Sequence, residues 1–245
     1  MALAKFTYIP PVIGHRGACA YAPENTIAAF TKAAQLGVKW VEFDVMQSSD
    51  GKVIVFHDET LDRTTNGKGD VDKFTHHFLR TLDAGAWFAS TFSGERIPDL
   101  MQVLEFLENA NMNANVELKA IGNRDEELVL AVLKDMKEYL KKHSDRILFS
   151  SFSVDALRFL RRYAPDVSIG FLMHEWLPDW QQICTELNCV SMNVNEEVMT
   201  EERVKEIKQK GYQLLCYTVN DRHRAQQLYS WGVDAVFSDC PDKVV

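Results

Sequence analysis

The 245-residue chain has little of what would tie it to a membrane, a polyanion or an oxidising compartment. No apolar run approaches the ~18 residues that cross a bilayer. The opening MALAKFTYIPPVIG lacks a basic region followed by a long apolar stretch, so a cytoplasmic protein is expected. Positive charge is scarce: 27 Lys and Arg against 35 Asp and Glu leave a formal net charge of −8. That field repels nucleic acid and anionic lipid, so neither a nucleic-acid partner nor a stable membrane association is expected, and any phosphate binding must be local. The five cysteines (Cys19, Cys184, Cys189, Cys216, Cys240) form no CxxC pair, which points away from a disulfide framework and from a thiolate zinc site. Cys19 stands apart only because it closely follows the motif GHRG and could be oxidised. The GxGxxG spacing is missing as well, so the glycines of GHRG are not a dinucleotide fingerprint. The sequence leaves the oligomeric state open.

What is present is an ordinary globular balance, 46% hydrophobic and 25% charged, at a length that α/β barrels reach as one domain spanning 1–245. After residue 99, helical patterns alternate with short apolar runs: ANVELK, RILFSSF, VSIGFLM, CVSMNV, YQLLCYTV and DAVFSD. Upstream, VIGHRG, KWVEFDV and KVIVFHD make nine strands in all. The series is βα and predicts a TIM-type (β/α)8 barrel with a parallel sheet and helices outside. The joint MQSSDGK carries the hairpin signal Asp50-Gly51, so the second and third strands are predicted to be antiparallel. A turn centred near Ser49 and Asp50 would set residues summing to about 99 opposite each other, and so Glu42 opposite His57. Residues 59–98 break the pattern and are expected to be a small inserted cap over one barrel mouth, because structureless loops of that length are uncommon unless they cover a site.

Parallel barrel strands are buried on both faces, so polar side chains at their C-terminal ends need a reason to be there. His15 and Arg16 close the first strand, Glu42 and Asp44 lie two apart on the second, His57 closes the third, and Glu117 and Lys119 lie two apart on ANVELK. Side chains two apart share a face, so these groups can converge. Three carboxylates converging in a barrel mouth call for a positive charge between them, and an all-oxygen donor set favours a hard divalent ion, Mg²⁺ or Ca²⁺, over zinc. Arg16 offers a planar fork for a phosphate and Lys119 a point charge. His15 and His57, flanking a phosphodiester, could take a proton from the attacking hydroxyl and give one to the leaving alcohol. His76, His77, His143, His174 and His223 are expected to be solvated.

HRG and PENT in residues 15–26, EFD at 42–44, FHD at 56–58, LDRTTNGKG at 61–69 and ELK at 117–119 together resemble the glycerophosphodiester phosphodiesterase family. GAWF, GERIPDL, SSF, YTVN and SDCP extend the likeness over nearly the whole chain. The resemblance implies a TIM-type barrel and metal-dependent hydrolysis of small glycerophosphodiesters to glycerol 3-phosphate and an alcohol. His15 and His57 are similar to the family's acid and base, Arg16 and Lys119 to its phosphate contacts, and Glu42, Asp44 and Glu117 to its metal ligands. The implied route has the glycerol 2-hydroxyl attack phosphorus to form a cyclic phosphate that water then opens. Tyr217 stands where the family often has tryptophan, and Ser238 and Cys240 replace the threonine and tyrosine of TDYP; all three are expected at the pocket wall. Trp87, Phe88 and Phe92 could line the head-group side or pack within the cap. Two other readings carry distinct demands. A phospholipase-type enzyme on intact lipid would need a basic or apolar membrane face that the sequence does not supply, and a non-catalytic phosphometabolite-binding barrel would not need the two histidines.

Overall fold

A computed structural model describes residues 9–244; the first eight residues of the N-terminal segment and Val245 lie outside the described residues. Nine strands run through it: β1 (Val12–Gly14), β2 (Trp40–Gln47), β3 (Val53–Val55), β4 (Asn113–Leu118), β5 (Ile147–Ser151), β6 (Ser168–Met173), β7 (Ser191–Asn195), β8 (Gln213–Tyr217) and β9 (Ala235–Ser238). All pair in parallel except β3, and the ring β1-β9-β8-β7-β6-β5-β4-β2 closes where Gly14 of β1 meets Val41 of β2. Eight parallel strands with helices between them form a TIM-type barrel. No helix among the described residues is long and apolar enough to cross a membrane.

Alternation along the strands sorts the side chains into two layers. Outward residues such as Val41, Phe43, Val45, Ala114, Val116, Ile147 and Phe149 pack on the helices in the main apolar cluster. Those helices are α1 (Ile27–Gln35), α3 (Leu100–Ala110), α4 (Asp125–His143), α5 (Val154–Tyr163), α6 (Trp180–Glu186), α7 (Glu201–Gln209) and α8 (Arg222–Trp231), while α2 (His76–Leu79) lies outside this layer. Inward residues of the opposite parity form a smaller cluster around Ile13, Trp40, Leu148, Leu215 and Phe237. Above it lies a buried polar ladder: Asn115 Nδ2 donates to Ser150 Oγ at 2.8 Å, Asn193 Nδ2 to Asn115 Oδ1 at 3.4 Å, and Ser191 Oγ to Asn193 Oδ1 at 2.9 Å. Gly170 makes room for it, since a Cβ there would lie 2.6 Å from Ser191 Oγ.

The β2–β3 hairpin corrects the predicted register. Val45 pairs with Val55, Met46 with Ile54 and Gln47 with Val53, so facing numbers sum to 100. Ser48 N–H donates to Lys52 O at 3.0 Å, leaving a three-residue loop, 49–51, with Gly51 in the left-handed region at φ +74°. The expected centre lies near Ser49 and Asp50, whereas the three-residue loop centres on Asp50, and that half-residue shift exchanges faces. Glu42 and His57 are therefore not cross-strand partners. β3 pairs with the C-terminal end of β2, its Val53 and Val55 joining the main cluster, and residues 59–98 follow it with a separate apolar cluster of Leu61, Val71, Leu79, Leu82, Ala84 and Ile97, joined by Met46, Ile54 and Phe56.

Candidate functional site

The seven polar residues singled out in the sequence meet at the C-terminal mouth of the barrel. Asp44 and Glu117 are register partners on β2 and β4, and Glu42 lies one inward step below Asp44. One oxygen from each of Glu42, Asp44 and Glu117 lies within 4.8 Å of the other two. All three carboxylates are buried. Lys119, just past β4, holds Nζ 3.6 Å from Glu117 and 3.8 Å from Asp44.

The first motif shows how a sequence builds such a corner. A Cβ on Gly14 would lie 2.3 Å from Gly17 O, and one on Gly17 would lie 2.6 Å from the backbone of Ala29, so both glycines allow the chain to fold tightly on itself and on α1. Gly17 and Arg16 both have positive φ, +90° and +49°. This reversal points the Arg16 N–H at Glu42 Oε2, 3.0 Å away, and brings its guanidinium Nε to 3.6 Å from Asp44. PENT then has three jobs. Glu24 accepts from Arg16 Nη1 at 2.7 Å, Asn25 Nδ2 donates to Asp44 Oδ2 at 2.8 Å, and Thr26 caps α1 through Ala29 N–H.

Each histidine has an acidic partner that the sequence reading missed. His15 Nδ1 lies 2.6 Å from Asp239 Oδ1 and His57 Nδ1 2.6 Å from Asp58 Oδ1. Asp239 is held in turn by Cys19 Sγ at 2.9 Å and Asn220 Nδ2 at 2.6 Å. With Nδ1 occupied, Nε2 of each ring is the nitrogen left to face a ligand.

The electrostatics are divided. Burial, then repulsion from Asp44 and from Glu117, drives Glu42 well above the ordinary carboxylate range. Burial and the neighbouring Asp44 push Glu117 up to about 8. Burial also raises Asp44, but Arg16, His57, Lys119 and the Asn25 amide outweigh it and hold Asp44 below its usual value. Burial, helped by Arg16 and Lys119, keeps His57 below the usual imidazole value against the pull of Asp44. Burial pushes the Cys19 thiol far up, with Asp239 adding to it, so the oxidation considered from the sequence is disfavoured at the thiolate step.

A cavity of about 200 Å³ opens over this cluster. His15, Arg16, Glu42, His57 and Glu117 line it together with Phe152, Leu172, Tyr217 and Phe237. Glu42 Oε1, Glu117 Oε1 and the Tyr217 hydroxyl are buried there without a hydrogen-bond partner. Buried carboxylate oxygens that accept no hydrogen bond, gathered in one spot and rimmed by bases, fit a hard cation. Tyr217 is at the wall as expected, but Ser238 and Cys240 are not: they sit behind it, where Ser238 Oγ donates to Asn220 Oδ1 at 3.0 Å and the Cys240 thiol reaches Asn220 O at 3.7 Å. Trp87, Phe88 and Phe92 do not line the cavity; they pack edge to face on one another, at 5.7 and 5.6 Å between centroids. His174 is exposed and apart from the cavity.

Comparison with known proteins places the chain among relatives. Residues 15–243 match the profile of the Glycerophosphoryl diester phosphodiesterase family. The chain is 35% identical over 238 residues to a glycerophosphodiester phosphodiesterase of Caldanaerobacter subterraneus subsp. tengcongensis, the match covering 96% of each protein. It is 32% identical over 245 residues to a glycerophosphodiester phosphodiesterase of Bacillus subtilis, covering 94% of this chain and 83% of that one. A phosphodiesterase from Oleispira antarctica, solved in complex with the product sn-glycerol-3-phosphate, superposes with a TM-score of 0.93 at 38% identity, covering 96% of this chain and 95% of the other.

Proposed function

The chain belongs to the glycerophosphoryl diester phosphodiesterase family and hydrolyses glycerophosphodiesters to glycerol 3-phosphate and an alcohol, and we propose that it does so with Glu42, Asp44 and Glu117 holding one divalent cation between two catalytic histidines. The observation that carries this reading is the meeting of three buried carboxylates, two of them with an oxygen that accepts no hydrogen bond, beside His15, His57, Arg16 and Lys119. The donor set suits Mg²⁺ or Ca²⁺. Such an ion, when bound, supplies positive charge to the phosphoryl oxygens and lowers the cost of the charge that develops there.

The remaining work falls to side chains. Arg16 and Lys119 bind the non-bridging phosphate oxygens, Arg16 with a fork fixed by Glu24 and Lys119 as a point charge over Asp44 and Glu117. His57, kept neutral by burial, accepts the proton of the attacking hydroxyl through Nε2. His15 donates a proton to the departing alcohol oxygen, with Asp239 fixing its ring and tautomer. Phe152, Leu172 and Phe237 supply the apolar part of the cavity wall. In the same proposal residues 59–98 are a cap within a single catalytic domain, a reading supported by their shared apolar cluster with β2 and β3. The setting is cytoplasmic, without stable membrane association, a reading supported by the net charge of −8 and tested by cosedimentation with anionic vesicles.

The test is release of glycerol 3-phosphate from glycerophosphocholine, measured after chelation and again with Mg²⁺ or Ca²⁺ restored. Activity should vanish on chelation and return with at least one of the two ions. A folded protein that releases no glycerol 3-phosphate under either ion sinks the proposal.

A further inference from the structure

LDRTTNGKG is the longest motif that the chemistry above leaves unused. It folds into a closed loop: Leu61 N–H donates to Gly69 O at 2.9 Å, the Thr65 hydroxyl to Leu61 O at 2.7 Å, and Gly69 N–H to Asp62 Oδ2 at 2.9 Å. Leu61 anchors the loop in the second apolar cluster, and Gly67 passes where a Cβ would lie 2.8 Å from Leu82. The loop presents Arg63 to the rim of the site, and that guanidinium uses all three nitrogens. Nε donates to Asp58 Oδ2 at 2.7 Å and Nη2 to Asp58 Oδ1 at 2.8 Å; Nη2 also donates to Glu24 Oε1 at 2.7 Å, and Nη1 to Glu24 Oε2 at 2.6 Å. Each carboxylate passes the contact inward. Asp58 Oδ1 pairs with His57 Nδ1 at 2.6 Å, and Glu24 Oε1 with Arg16 Nη1 at 2.7 Å.

We infer that Arg63 is a positioning residue of the hydrolase: one planar fork, delivered by the inserted segment, that fixes the histidine base and the phosphate-binding arginine relative to each other. The inference rests on the function proposed above. Arg63 is not among the residues lining the cavity, and its side chain is 46% exposed, so it acts through its partners and not on substrate. Two carboxylates on two edges of one guanidinium is a geometry that a lysine ammonium cannot reproduce, because it has no rigid fork. Without the fork, Glu24 and Asp58 would face each other as like charges, and the groups they hold would lose their common reference.

The experiment compares Arg63→Ala and Arg63→Lys with the wild type in two readouts: turnover of glycerophosphocholine, and calorimetric binding of glycerol 3-phosphate. Arg63→Ala is expected to keep its fold by circular dichroism, to lose about 10- to 100-fold in kcat, and to bind glycerol 3-phosphate more weakly. Added methylguanidine should refill the fork and restore part of that activity, while Arg63→Lys should stay impaired despite its charge. Wild-type activity in either variant overturns the inference, as does a loss in Arg63→Ala that methylguanidine leaves untouched, which is the mark of a merely structural role. Should Arg63→Ala fail to fold, Arg63→Lys decides by the same criterion. A wild type inert on glycerophosphocholine would sink the proposed function, yet the binding readout would still report on Arg63.

Discussion

His15 and His57 each commit Nδ1 to a carboxylate, from residues 239 and 58 respectively, and this fixes which nitrogen can move a proton. Replacing either histidine with alanine should therefore cost about 10² to 10⁴ in kcat with the fold intact, measured as glycerol 3-phosphate release; full activity in both variants would exclude the mechanism. Tyr217 gives a prediction of the opposite kind. Its hydroxyl is buried with no partner, so Tyr217→Phe should leave the melting temperature unchanged or raise it. A lower melting temperature would mean the hydroxyl is satisfied after all. The seven groups gathered at the barrel mouth were legible because strand-end polar residues are conspicuous in apolar runs. Their partners were not. Neighbouring side chains in a strand point to opposite faces, so Asp58 had no reason to meet His57 until β3 was seen to end at Val55. Asp239 lies 224 residues from His15, and only closure of β9 on β1 brings them together.

Among the elements, long helices and apolar strands were readable to within a few residues; α4, for instance, spans the whole of DEELVLAVLKDMKEYLKKH. Strand ends were read too long: VIGHRG keeps only Val12–Gly14 as strand, because the reversal at Arg16 and Gly17 turns the chain away. The hairpin register slipped by one because DG marks a turn without stating its length. The glycine argument at this scale is testable. Gly17 combines φ +90° with backbone 2.6 Å from where a Cβ would sit, so Gly17→Ala should lower stability by about 1–3 kcal/mol in urea unfolding and disturb the Arg16 corner with it. An unchanged unfolding midpoint would show that the close approach to α1 is not required.

For the molecule as a whole, the barrel keeps a cluster of buried acid in a chain that already carries net charge −8. Glu117 at about 8, against about 4.5 when unfolded, means that between those values the folded chain holds a proton the unfolded chain has lost. Stability of the metal-free protein should consequently fall as pH rises from about 5 towards 8, and the cost should be fully present above 8. A divalent ion bound only by the folded state should offset part of this cost at high pH, adding about 2.7 kcal/mol at a hundredfold excess over Kd. Melting curves at pH 6 and 8.5, with chelator or with Mg²⁺, check the sign; stabilisation by the ion that is no larger at pH 8.5 than at pH 6 would contradict it.

The most direct measurement is anomalous diffraction from crystals grown with Mn²⁺ and glycerol 3-phosphate. The account predicts one peak within coordinating distance of Glu42, Asp44 and Glu117, with the phosphate between it and Arg16. Full occupancy of the phosphate elsewhere, or no peak among those three carboxylates, would contradict it.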